Sequence, residues 1–112
     1  MILLDTSGLF SAIDAGQPEH ERAKDALRAE TGPLVLSPFV LAEVDYFILA
    51  RMTSAHEVAL LDEVAAGVFD LARFDADDIV RARTVIERYG DLDLGLADAS
   101  IVVLAERAAV AA

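Results

Sequence analysis

The chain has 112 residues, 55% of them hydrophobic, no cysteine, and a formal charge of -11 from 20 acids against 9 bases. That length suits one domain, residues 1–112, with a genuine core, and the lack of cysteine excludes disulfides and thiolate metal sites and fits a cytoplasmic protein. The acidity excludes a surface that grips nucleic acid mainly by neutralising phosphates, and suits a basic protein partner instead.

Ile2 to Asp5 reads as an apolar strand. No window of about 18 residues lacks a charge, so no transmembrane helix is predicted, and no basic segment precedes the first apolar run as a secretory signal would require. A short helix is predicted over Ser7 to Ile13, closed by the turn-prone Asp14-Ala15-Gly16-Gln17-Pro18. Pro18 to Ala29 is an exposed, charged helix stopped by Thr31-Gly32-Pro33. Leu34 to Leu36 is a second apolar strand. Ser37 caps a helix with Pro38 at its first position, running to Arg51. Ser54 opens another, with Glu57 three residues on as a capping box, ending near Gly67. Val68 to Ala72 is a third strand. Asp75 caps a helix reaching Tyr89, and a last helix runs from about Leu96 to the C-terminus. Apolar strands separated by helices predict an α/β fold with a small parallel sheet covered on both sides.

Three carboxylates stand in apolar surroundings. Asp5 ends the first strand, and sites in open α/β sheets form beyond the carboxyl ends of strands. Asp5-Thr6-Ser7 suits either metal ligation, with Thr6 or Ser7 orienting the carboxylate, or a helix cap. Glu43 has Phe39, Val40, Tyr46 and Phe47 one turn away on either side, and pairing with Arg51 across two turns is its bland alternative. Asp45 competes with it; residues at i and i+2 of a helix point about 200° apart, so one site can use only one of the two. Asp98 has Leu94, Gly95, Ile101 and Val102 around it, or is an early-turn acid favoured by the helix dipole. Asp91 and Asp93 precede that helix as caps or outer ligands. An ionised carboxylate in an apolar setting is costly unless it is paired or binds a metal, so Asp5, Glu43 and Asp98 are predicted to converge on a divalent cation. His20 and His56 read as surface residues, and Tyr46 and Tyr89 as residues at the edge of the core.

The segments Met-Ile-Leu-Leu-Asp-Thr-Ser, Leu-Ser-Pro-Phe-Val-Leu-Ala-Glu-Val-Asp-Tyr and Asp-Leu-Gly-Leu-Ala-Asp-Ala-Ser-Ile-Val-Val-Leu-Ala resemble, in this order and spacing, the PIN-domain nucleases. Among them the likeness is to the VapC toxins of bacterial toxin–antitoxin pairs, from Met1 to about Arg107. The resemblance implies Asp5, Glu43 and Asp98 as the catalytic, metal-binding acids, so that it selects Glu43 over Asp45. It places Thr6 or Ser7 as the supporting hydroxyl. Asp93 is the further outer residue of this reading. The implied activity is Mg²⁺- or Mn²⁺-dependent hydrolysis of RNA by a metal-activated water, in a homodimer inhibited by a basic, VapB-like antitoxin. The family continues into another strand, of the type Ile-Leu-Thr-Leu-Asp, which carries a fourth acid. The chain ends at Ala112 without it, so a C-terminally truncated PIN-like domain with an apolar edge beside Asp5 is expected. Two other readings follow from the residues. One is a PIN-like module that binds an antitoxin or a second copy without cutting. The other is a phosphoacceptor domain, which would want a late lysine where Lys24 is the only one.

Overall fold

The strands are short because the residues at their ends are drawn into caps and turns. In the computed structural model, which describes residues 1–111, three parallel strands stand in the order β1-β2-β3. These are β1 (Ile2–Leu3), β2 (Leu34–Leu36) and β3 (Asp70–Leu71). Ile2 pairs with Leu34 and Leu3 with Val35, while Val35 pairs with Asp70 and Leu36 with Leu71. The predicted strand Ile2 to Asp5 stops early: Leu4 N–H still donates to the Val35 carbonyl at 3.0 Å, but Asp5 turns out of the ladder to cap the next helix. The predicted Val68 to Ala72 strand contracts to two exposed residues, so the sheet is not covered on both faces along its whole width.

Among the described residues six helices flank the sheet: α1 (Thr6–Ile13), α2 (His20–Ala29), α3 (Pro38–Arg51), α4 (Ser54–Ala65), α5 (Ala76–Arg88) and α6 (Leu96–Ala111), with a 3-10 turn at Gly90–Leu92. The α2 helix begins at His20, two residues later than predicted. Its start is held by His20, whose ring Nδ1 lies 2.9 Å from the Ser11 carbonyl oxygen; its side chain is 15% exposed, so His20 is a docking residue rather than a surface one. Thr53, not Ser54, caps α4, accepting from His56 N–H. The capping box lies instead at α5, where Asp75 and Asp78 exchange backbone-to-carboxylate bonds. Asp78 is then clamped by Arg107 of α6 at 2.7 Å, which ties α5 to α6.

Apolar alternation sorts the side chains. Ile2 and Leu4 of the first strand segment face one side of the sheet, with Leu34 and Leu36, onto a core built of Leu9, Phe10, Val40, Val44 and Ile48. A second cluster, Ala82, Val85, Ala99 and Val103, fills the seam between α5 and α6. Helix α6 joins the two, since Ala97 belongs to the first. Each fully buried Leu, Val or Ile contributes about 1.5–3 kcal/mol, and the Val40, Val44, Ile48 stripe therefore fixes the rotation of α3. Among the described residues no helix is long and apolar enough to cross a membrane.

Candidate active site

Each of the three acids is placed by a neighbour that must point inward. Asp5 is the N-cap of α1, its Oδ1 accepting Gly8 N–H at 2.7 Å. A Cβ at Gly8 would come within 2.6 Å of that Oδ1, so glycine is what lets the carboxylate sit there. On α3, burial of Val40 and Val44 leaves Glu43 about 100° to one side of the buried stripe, where it is exposed. On α6, burial of Ala97, Ala99 and Ser100 leaves Asp98 exposed as well. The three side chains line one cleft of about 380 Å³, together with Thr6, Ser7, Phe10, Ser11, Gln17, Phe47 and Arg51.

Asp5, Glu43 and Asp98 are all exposed. The apolar flanks that drew attention to them belong to residues facing the core, and the acids stand at an open rim where water bears the cost of their charge. Nor do they close on a single point: among the described residues no three His, Asp or Glu side chains are grouped tightly enough to hold an ion. Like charges resist closer approach unless a cation lies between them. The donors are nonetheless of one kind. Besides Arg51, the polar groups of the described residues lining the cleft are carboxylates, hydroxyls and the Gln17 amide, with no histidine or cysteine, and such hard oxygen donors match Mg²⁺ or Mn²⁺.

Asp45 is directed elsewhere. It lies beside Glu57 of α4, whose carboxyl is held above its ordinary range by a hydrogen bond with Asp45, by desolvation and by the Asp45 charge. Helical geometry thus separates Glu43 from Asp45 as the 200° argument requires. Thr6 and Ser7 reach the cleft, and Asp93 does not; it occupies a left-handed position, φ 48°, in the turn before α6. Tyr46 and Tyr89, expected from the sequence at the edge of the core, are 68% and 44% exposed; Tyr46 is turned outward on α3 and Tyr89 is the C-cap residue beyond α5.

Three further residues shape the cleft in ways that local sequence pattern does not signal. Ser100 is fully buried and its Oγ lies 2.7 Å from that of Ser37. Ser100 donates to the Ala97 carbonyl at 2.6 Å, so Ser37 must donate to Ser100 while accepting Phe39 N–H. This chain of bonds fastens the start of the Glu43 helix to the Asp98 helix. Gly8 is the second. The third is Arg51, whose guanidinium lies 5.8 Å from the Phe10 ring centroid and 5.5 Å from that of Phe47. The alternative of a Glu43–Arg51 ion pair is not realised among the described residues.

A family model described as PIN domain matches residues 2–112. Ribonuclease VapC26 of Mycobacterium tuberculosis is 38% identical over 106 residues, covering 95% of this chain and 78% of its own length. The crystal structure of Mycobacterium tuberculosis VapC20, a sarcin–ricin loop cleaving toxin, matches with a TM-score of 0.89 over 97% of this chain and 84% of that one, at 21% identity. That second likeness shows a shared fold.

Proposed function

The chain belongs to the PIN domain family, with a VapC ribonuclease among its relatives, and on that premise we propose that it is a Mg²⁺- or Mn²⁺-dependent endoribonuclease, the toxin of a toxin–antitoxin pair. The observation that carries this reading is the meeting of Asp5 from the cap of α1, Glu43 from the second turn of α3 and Asp98 from the first turn of α6 in one cleft.

Asp5 and Asp98 would hold the cation, with Glu43 as a further ligand or as the group that positions the attacking water. A cation bound there supplies Lewis acidity toward water and phosphate, and its charge offsets the acidity that would otherwise repel RNA. Asp5 is held by Gly8 N–H on one oxygen, which leaves the other for the ion. Thr6 and Ser7 are hydroxyl donors that can orient the carboxylates. Ser37 and Ser100 keep the Glu43 and Asp98 helices in register. Phosphodiester hydrolysis then depends on position and charge, with no covalent intermediate on the protein. The protein acts in the cytoplasm as a homodimer, and a basic antitoxin segment is the natural inhibitor of so acidic a cleft.

That no three His, Asp or Glu side chains among the described residues are already gathered as an ion's ligands favours a second reading, a PIN-like module that binds a partner without cutting. Incubation of purified protein with RNA separates the two. The enzyme reading predicts cleavage that EDTA abolishes and added Mg²⁺ or Mn²⁺ restores. Cleavage indifferent to EDTA, or none in either cation, removes it.

A further inference from the structure

The cleft contains one cation that the three-acid site leaves unused. Arg51 is the last residue of α3 and the single basic side chain among the described residues that line the cleft. In a chain carrying 20 acids, with Glu43 two turns back on the same helix, an ion pair would be the simple resting place for its guanidinium. It makes none within 4.0 Å among the described residues, although its charge helps, after Gln17, Gly16 and His20, to lower the Asp14 carboxyl. The group instead rests against two rings, Phe10 from α1 and Phe47 from α3, which are themselves 5.8 Å apart. Arg51 is exposed.

Two rings on separate helices fix the guanidinium at the rim of the cleft. Contact through the ring faces leaves the N–H edges available to an oxygen partner, and a guanidinium grips phosphate through two parallel N–H···O bonds. A pocket of three carboxylates repels every phosphate except the one its cation neutralises. A polynucleotide crossing the cleft therefore needs a fixed positive charge for the phosphates on either side of the cut.

We propose that Arg51, braced on Phe10 and Phe47, is a substrate-binding residue that grips an RNA phosphate adjacent to the one cleaved. This rests on reading the cleft as an RNA-cutting site. A purely structural role, such as offsetting the negative C-terminal end of α3, would affect stability and leave RNA binding alone.

The test measures binding of a short fluorescein-labelled single-stranded RNA to the Asp5→Asn protein over a range of salt concentrations, with and without Arg51→Gln. Loss of one phosphate contact should lower the slope of log affinity against log salt by about 0.7. Arg51→Lys, which keeps the charge and the fold but not the planar fork, should retain the slope and bind more weakly. In otherwise native protein, Arg51→Gln should raise KM for RNA cleavage more than it lowers kcat. An unchanged slope in Arg51→Gln, or a fall in kcat with KM unchanged, overturns the assignment while EDTA-sensitive cleavage stands. Native protein that neither binds nor cuts RNA overturns the nuclease reading and Arg51's role with it.

Discussion

The hydroxyl of Ser37 and that of Ser100, 63 positions apart in the chain, meet at 2.7 Å in a fully buried contact. The bond lies six residues before Glu43 and two after Asp98. Removing Ser100 leaves the buried Ser37 O–H without an acceptor, at a cost of about 1–3 kcal/mol. Ser100→Ala should lower unfolding stability by that amount in urea titrations, whereas Ser37→Ala loses the bond and the N-cap while Ser100 keeps its bond to the Ala97 carbonyl. The double variant should be less destabilised than the sum of the two, by about 1 kcal/mol. Strict additivity would show that the pair is not coupled.

Gly8→Ala separates stability from activity. Alanine is favoured over glycine within a helix by about 1 kcal/mol, so the fold should withstand the change. The added Cβ, however, would collide with Asp5 Oδ1 at 2.6 Å and force the carboxylate from its cap. Thermal unfolding should move by only a few degrees while cation-dependent RNA cleavage falls at least about 10-fold, the scale of a misoriented metal ligand. Undiminished cleavage would mean that Asp5 does not need this placement.

The clamp between Asp78 and Arg107 gives a pH dependence. The Asp78 carboxyl lies below its ordinary value of 3.8, first through the Asp75 backbone N–H and then through Arg107. A carboxyl whose folded pKa is depressed adds stability that is present above its unfolded pKa and lost as pH falls through the folded one. The melting temperature of the native protein should therefore drop below about pH 4 more steeply than that of Asp78→Asn, which should melt lower at pH 7. Parallel curves for the two would contradict the clamp.

Glu57 behaves in the opposite sense. Its carboxyl is raised above 4.5 by the adjacent Asp45, so the stability it contributes is full below pH 4.5 and is lost as pH rises through its folded pKa. Glu57→Gln should melt higher than native protein at pH 7, and the advantage should vanish on acidification. The reverse order at pH 7 would show that the two carboxylates do not face each other.

Much of this architecture is legible in the sequence for local reasons. Pro33 and the pair Ser37-Pro38 bracket Leu34 to Leu36 so tightly that strand and helix boundaries follow from them alone. Asp5, Glu43 and Asp98 were legible as a trio, and they do line one cleft. Their apolar neighbours nevertheless misstated their burial, because flanking residues on a helix can face the core while the acid between them faces water. Ser100 could not be found by pattern, since a serine in a helix announces no partner 63 residues away. Gly8 carries no pattern of its own, because its meaning lies in a carboxylate three positions earlier. Local pattern offers Arg51 only Glu43 as a partner, since the ring of Phe10 beside it comes from a different helix. Asp93 looked well placed before α6, but a left-handed turn carries it away from the cleft.

The central claim is that Asp5, Glu43 and Asp98 form one cation-dependent RNA-cutting site and that Asp45 has no part in it. Cleavage rates in Mg²⁺ of Asp5→Asn, Glu43→Gln, Asp98→Asn and Asp45→Asn test it most directly. Asparagine caps a helix as well as aspartate does, so Asp5→Asn should remain folded. The first three variants should each lose more than about 100-fold, beyond the 10–100-fold typical of a supporting residue, while Asp45→Asn cleaves as the native protein does. Retained cleavage in Asp5→Asn or Asp98→Asn, or an equal loss in Asp45→Asn, would contradict the account.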